Sequence, residues 1–249
     1  MSKTILITGV GKRIGLALAK HFMAQGHKVI GTYRRHYQSI DELKKLGASL
    51  YQCDLNSPLA IEGLIANILK QHPRLDTVIH NASDWLADPN DSDDQSPTEV
   101  MSRMLQVHVA APYQLNLALA PLLTQSALAH NHTSTAQIGA SNIIHITDYV
   151  AEKGSKKHIA YAASKAALHN MTLSFAAKLA PNVKVNSIAP AMILFNELDD
   201  LAYKVKTLAK SILPKEAGSQ EIIALVEYLQ SSHYVTGRSF AVDGGRHLL

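Results

Sequence analysis

Seven short β-rich runs alternate with stretches whose apolar residues keep helical spacing, and this alternation restricts the fold more than any other feature of the chain. The runs are Thr4 to Thr8, Lys28 to Tyr33, Ser49 to Cys53, Thr77 to His80, Asn142 to Thr147, Lys184 to Ile188 and Ser239 to Val242. Ile14, Ala17, Leu18 and Phe22 follow the first run at intervals that line one helix face, as Ile61, Leu64, Ile65 and Ile68 follow the third. Strand and helix in strict alternation make βαβ units and a parallel sheet. Seven strands with helices on both faces predict an α/β, doubly wound fold of the Rossmann type. The 249 residues hold no internal repeat and no dividing linker, so a single domain over residues 1–249 is expected. Two stretches read as surface loops: Ala87 to Pro97, which is acidic, and Ala129 to Ser141, which is polar. The first follows the fourth run at its C-terminal end, where such folds hold ligands.

Composition narrows the partners. The 24 basic and 20 acidic residues leave a thin excess of +4 with no dense basic block, which argues against nucleic acid. Cys53 is the only cysteine, so no internal disulfide forms, and a reducing compartment is expected. The chain starts directly into a strand and has no stretch of about 20 apolar residues, so neither a signal peptide nor a membrane span is expected. The expected location is the cytoplasm. The 13 histidines lack zinc spacing, and no metal is expected.

The first turn, T-G-V-G-K-R-I-G from Thr8 to Gly15, lies between a strand and a helix. Glycines there let the backbone approach a pyrophosphate, whose charge the helix N-terminus favours. Strand, turn and helix in this order point to dinucleotide binding. Arg13 stands where a third glycine might be looked for, directing a fixed cation at the phosphates or at what binds beside them. An NAD site usually has an acidic residue after the second strand, but the sequence there is G-T-Y-R-R-H and the first carboxylate is Asp41. Arg34 and Arg35 suit a 2′-phosphate, which favours NADP; the alternative is plain surface charge.

Tyr161 and Lys165 are four positions apart, on one face of a helix. An ammonium beside a phenol favours the phenolate, so the tyrosine is expected to have a lowered pKa and to serve as a proton donor. The same spacing also occurs on ordinary solvated helix faces. Asp148 follows the strand-like N-I-I-H-I-T, close enough for a short loop to carry its carboxyl to the tyrosine. It is alternatively a loop cap.

Taken together, T-G-x-x-x-R-x-G, C-D-L at Cys53 to Leu55, H-N-A-S at His80 to Ser83, Y-A-A-S-K, V-N-S-I-A-P ending at Pro190 and T-G-R-S-F-A-V-D-G-G ending at Gly245 resemble the short-chain dehydrogenase/reductases over the whole chain. The resemblance implies sheet order 3-2-1-4-5-6-7 and a homotetramer. It implies Tyr161 as proton donor, Lys165 as the residue that binds the nicotinamide ribose and lowers the tyrosine pKa, Asp54 at the adenine, and Asn81 behind the cofactor. Gly9, Arg13, Ile14, Gly15, Tyr33, Arg34, Leu55, Ala82, Ser83, Pro190 and Ile193 complete the implied NADPH site.

Two departures from the common pattern, Arg13 for glycine and Asp148 for serine, resemble the pteridine reductase branch of that family. Trp85, four positions after Asn81 and the only tryptophan, would there sandwich a pterin against the nicotinamide; the alternative is a core or loop anchor. The implied substrate contacts are Arg13, Ser83, Trp85, Asp148, Tyr161 and Leu194, the last in an apolar segment expected to close over the substrate. A third departure places His108 where an asparagine usually holds a relay water. It is read either as part of that relay or as a packed neutral ring. The implied reaction is NADPH-dependent hydride transfer to C6 of a 7,8-dihydropterin, with N5 gaining a proton from a group containing Asp148, Tyr161, Lys165 and Arg13. Alternatives are reduction of a ketone or 3-oxoacyl thioester, and an NADP-binding sensor without turnover.

Overall fold

All seven expected strands form, within two residues of their expected bounds, in the computed structural model, which describes residues 2–90, 94–131 and 140–249. They are β1 (Thr4–Ile7), β2 (Lys28–Tyr33), β3 (Ser49–Gln52), β4 (Thr77–His80), β5 (Ser141–Ile146), β6 (Val183–Pro190) and β7 (Ser239–Val242). Every pairing is parallel, in the order β3-β2-β1-β4-β5-β6-β7. The long crossovers are helices α1 (Arg13–Ala24), α2 (Gln38–Lys45), α3 (Pro58–Gln71), α4 (Pro97–Leu105), α5 (Ala111–Asn131), α6 (Val150–Lys153), α7 (Ile159–Leu179), α8 (Leu201–Leu208) and α9 (Ser219–Ser231).

Because helices cover both faces, every residue of β1, β4, β5 and β6 is buried. Side-chain alternation then splits the apolar residues between two layers. Ile5 and Ile7 join Leu18 and Phe22 of α1, Leu43 of α2 and Val226 of α9. Leu6 points the other way, to Ile61 and Leu64 of α3, Leu115 and Leu119 of α5 and Phe175 of α7. Each such fully buried side chain contributes about 1.5–3 kcal/mol.

Local chemistry sets the helix starts. Ser57 Oγ accepts from Ala60 N at 3.2 Å ahead of Pro58, and Ser96 with Glu99 forms a capping box for α4. Between α4 and α5 the chain widens into a π-helical turn, Gln106–Ala110, in which Ala111 N donates to Gln106 O. Pro112 lacks the N–H that an α-helix would direct to the His108 carbonyl, which accounts for the slip.

Of the two expected surface loops, residues 91–93 and 132–139 lie outside the described part. What is described modifies the expectation: α5 runs on to Asn131, and Asp88 is a helix cap. Among the described residues no helix is long and apolar enough to cross a membrane.

Candidate active site

The C-terminal ends of the central strands open into a cleft of about 1000 Å³. Its floor is the turn between β1 and α1. Gly9 has φ 75°, and a Cβ on Gly15 would stand 2.1 Å from the Gly9 carbonyl oxygen, so neither position admits a side chain. Arg13 adopts φ 53°, the left-handed region that favours glycine. Its guanidinium crosses the cleft, donating to Leu194 O at 2.8 Å and Asn196 Oδ1 at 2.6 Å. Two residues read separately in the sequence, Arg13 and Leu194, are thereby joined.

Asn81 lines the cleft and is fixed on the glycine turn. Its amide donates to Thr8 O at 3.0 Å and Gly9 O at 3.1 Å, while Thr8 Oγ1 accepts from the backbone N–H of Asn81 and Ala82. The asparagine therefore ties the end of β4 to the glycine turn. Thr8 was not singled out in the sequence, and its partners lie more than 70 positions away.

Tyr161, Lys165 and Asp148 meet at the C-terminal end of β5. The Tyr161 hydroxyl donates to Asp148 Oδ2 at 2.8 Å, and Val150 N donates to Asp148 Oδ1 at 3.0 Å, so Asp148 both partners the tyrosine and caps the next turn. The helix bearing Tyr161 and Lys165 is capped from outside: Asp88 accepts from Ile159 N at 2.9 Å. One expectation is overturned. The Tyr161 pKa lies well above its ordinary value, first because the phenol is buried and then because Asp148 disfavours a phenolate; the nearby Ser83 hydroxyl pulls weakly the other way. The Lys165 ammonium does not outweigh these effects; its Nζ donates to Ile146 O at 2.9 Å and sits 5.6 Å from the centre of the phenol ring. Burial lowers the Lys165 pKa to about 8, against the pull of Asp148. Burial likewise raises the Asp148 carboxyl above the usual carboxylate range, outweighing the Val150 N–H and the Lys165 charge.

His108 is a packed ring with two hydrogen bonds. Nε2 pairs with Ser83 Oγ and Nδ1 with Ser164 Oγ, each at 2.8 Å, and its edge faces Tyr161. Burial lowers its pKa to about 2, which keeps it neutral.

At the far end of the cleft, Arg34 donates to Asp84 Oδ2 at 2.8 Å, and Arg103 binds the same oxygen at 2.7 Å. Arg34 is thus paired, while Arg35 lies exposed on the cleft wall. Asp54 also lines this end, with Asn56 donating to its Oδ1 from both backbone and side chain. Tyr33, Ile14 and Pro190 line the cleft as expected, as does Leu55, whose side chain packs largely into the core. Ile193 does not. Its side chain is 2% exposed and packs in the core layer with Ile188 and Ile222, because the chain turns inward immediately after β6.

Trp85 is 66% exposed, stands at the cleft and stacks on His158 at 4.1 Å with 25° between the planes. His158 is held in turn by Leu86 O at 2.8 Å. One indole face is covered and the other is open. Trp85 is therefore not a core residue, and the loop contact supports it from behind.

These residues fit a dinucleotide. Gly9 and Gly15 leave a backbone cradle, α1 has no acidic residue in its first turn to oppose an anion at its N-terminus, and Arg35 adds a cation beyond. A sheet of this order, with such a cradle below a Tyr/Lys pair, defines a nucleotide-dependent oxidoreductase of the doubly wound class.

The chain belongs to the short-chain dehydrogenase/reductase family: residues 9–247 match the family model described as enoyl-(acyl carrier protein) reductase. It is 52% identical over 247 residues to a dihydromonapterin reductase of Escherichia coli O1:K1, covering 99% of this chain and 98% of that protein. A dihydromonapterin reductase of Klebsiella pneumoniae subsp. pneumoniae is 53% identical over 249 residues, covering 99% of this chain and 97% of that protein. Among solved structures, FolM alternative dihydrofolate reductase 1 from Brucella suis, in complex with NADP, superposes with TM-score 0.82 at 24% identity, over 99% of this chain and 96% of that one. An apo SCOR enzyme from Clostridium thermocellum gives TM-score 0.83 at 23% identity, over 100% of this chain and 94% of that one. At these identities the two structures bear on the fold.

Proposed function

We propose that this protein is an NADPH-dependent reductase of 7,8-dihydropterins, acting on dihydromonapterin and also on dihydrofolate. The observation that carries this reading is the hydrogen bond from Tyr161 to Asp148. A ketone reductase needs only a tyrosine hydroxyl at the carbonyl oxygen, whereas here a protonatable carboxyl stands behind that hydroxyl to resupply the proton it gives up. Full-length similarity to dihydromonapterin reductases supports the same substrate class.

NADPH supplies hydride to C6 when bound. The glycine turn, Tyr33, Asp54, Asn81 to Ser83 and Pro190 hold the dinucleotide, and Arg35 with Arg34 meets the 2′-phosphate, there being no carboxylate at the end of β2. Lys165, its Nζ fixed by Ile146 O, presents a charge to the ribose hydroxyls. The open face of Trp85 and the backbone of Leu194 bound the pterin ring, and Arg13 closes the turn against that wall.

The proton moves along two side chains. Asp148, kept protonatable by burial, donates to Tyr161 Oη as the Tyr161 hydrogen passes to N5; solvent then reprotonates Asp148. Tyr161 stays neutral throughout, in keeping with its raised pKa.

We place the protein in the cytoplasm as one domain over residues 1–249 and as a homotetramer. Exposed Tyr113, Leu117 and Leu128 on α5 and Leu173 on α7 favour association. The test of function is NADPH oxidation with dihydromonapterin, dihydrofolate and an acetoacetyl thioester in parallel. Turnover of the two pterins is expected; turnover of the thioester alone would replace this reading with ketone reduction, and binding without turnover would make the protein a sensor.

A further inference from the structure

The hydrogen bonds around His108 form a chain whose direction can be worked out atom by atom. Ser164 Oγ lies 2.7 Å from Tyr161 O, and a carbonyl oxygen only accepts, so the single Ser164 hydroxyl hydrogen is there. Ser164 must then accept from His108 across their 2.8 Å contact, which puts a hydrogen on Nδ1. The ring is buried and neutral, so Nε2 carries none and accepts from Ser83 Oγ at 2.8 Å. Two further acceptors lie near Ser83, Asp84 O at 3.2 Å and the Tyr161 oxygen, but Ser83 is the partner that a bare Nε2 has in this structure. On each branch the Ser83 hydroxyl hydrogen is taken by an acceptor of the protein, and the shortest contact gives it to His108.

We infer that His108, as its Nδ1–H tautomer, is a positioning residue that turns Ser83 into a hydrogen-bond acceptor toward the substrate. Tyr161 has the same polarity in this state, because its hydrogen is on Asp148. Ser83 lies exposed at the cleft, where its lone pairs can receive a ring N–H or amino hydrogen. A pterin carries several such donors; a ketone carries none and would instead need a donor here. The inference rests on the dihydropterin reading, to which it adds how the site selects that substrate class. It also explains why an imidazole suits position 108: its two nitrogens, fixed on opposite sides of a rigid ring, bridge Ser164 and Ser83 at once. A primary amide at this position reaches only one of them.

Two measurements test it. Nitrogen-15 NMR of histidine-labelled protein, with the His108 signals assigned by their loss in H108Q, should show the Nδ1–H tautomer, and this needs no substrate. In steady-state kinetics, H108N keeps a donor for Ser164 but loses the acceptor for Ser83, and it should raise KM for dihydropterin about tenfold, the size of one lost hydrogen bond. H108Q restores an acceptor near the Nε2 position and should stay within about threefold of the parent. S83A should match H108N, and the double variant S83A/H108N should go no further, because His108 acts through Ser83. Far-ultraviolet circular dichroism and the urea-unfolding midpoint check that each variant is folded.

An Nε2–H tautomer, or additive effects in the double variant, would overturn the inference. Equal KM increases in H108N and H108Q would do the same. Should the parent turn over no dihydropterin, the proposed substrate fails, and the NMR tautomer still decides the polarity at Ser83.

Discussion

The phenol of Tyr161 donates a 2.8 Å hydrogen bond to a carboxyl of Asp148 whose pKa burial has raised. If these two groups relay the proton to N5, the pair is active only while Asp148 can carry a proton. kcat/KM for dihydropterin should then fall as pH rises through the Asp148 pKa, on a limb lying above the ordinary carboxylate value. D148N should remove that limb as well as lower the rate. A limb at the same pH in D148N would assign it to another group. Y161F should lose roughly 10²- to 10⁴-fold in kcat. Near-normal turnover by a folded Y161F would remove the tyrosine from the relay.

Substituting Asp148 by serine should alter substrate choice as well as rate, because it releases the Tyr161 hydroxyl hydrogen. D148S is expected to lose dihydropterin turnover and to gain measurable reduction of an acetoacetyl thioester. Unchanged pterin turnover in D148S would count against the role given to this carboxylate.

The cation that recognises the 2′-phosphate is expected to be chiefly Arg35, because Arg34 is already paired with Asp84. R35A should weaken NADPH binding about 10- to 100-fold, the value of a charge-assisted contact, and leave NADH binding nearly unchanged. R34A should have the smaller effect. Isothermal titration with both nucleotides distinguishes the two arginines.

Asp88 lies 71 positions from Ile159 and caps α7. D88A should cost about 1 kcal/mol in urea unfolding, and it should lower turnover too, since the loosened turn precedes Tyr161. Loss of stability with full activity would show that the cap is remote from the chemistry.

The contrast between Asp88 and Tyr161 shows what a sequence discloses. The strands were legible because hydrophobic periodicity and the glycine turn are local signals, while their order came from the family resemblance; Gly15 could hardly be replaced where its Cβ would meet the Gly9 carbonyl. The meeting of Asp148 with Tyr161 was legible from one strand end and one helix spacing. The Asp88 cap, the Thr8 staple and the His108 bridge join residues far apart in the chain, and nothing local marks them. The Tyr161 pKa was misjudged for a different reason. A four-residue spacing gives proximity to Lys165, but it shows neither the burial of the phenol nor the carboxyl beside it, and these two raise the pKa. Ile193 was misplaced because an apolar residue after a strand suits a wall of the cleft and the core equally well.

Stability should depend on alkaline pH through Lys184. This buried lysine donates to Leu229 O and Ser232 O, and burial, helped by Lys3, lowers its pKa from 10.5 to about 8. Between those values the unfolded chain binds more protons, so stability contributed by this group rises with pH from about 8 toward 10.5. Lys165, also lowered to about 8, acts in the same direction. K184M should flatten the rise seen in chemical denaturation across that window; an unchanged slope would assign it elsewhere.

The central claim is tested most directly by following the label from NADPH deuterated at nicotinamide C4 into 7,8-dihydromonapterin. One deuterium at C6 of the tetrahydropterin, formed at the rate of NADPH oxidation, is the expected result. No label in the pterin, together with deuterium in the hydroxy product of a 3-oxoacyl thioester, would contradict it.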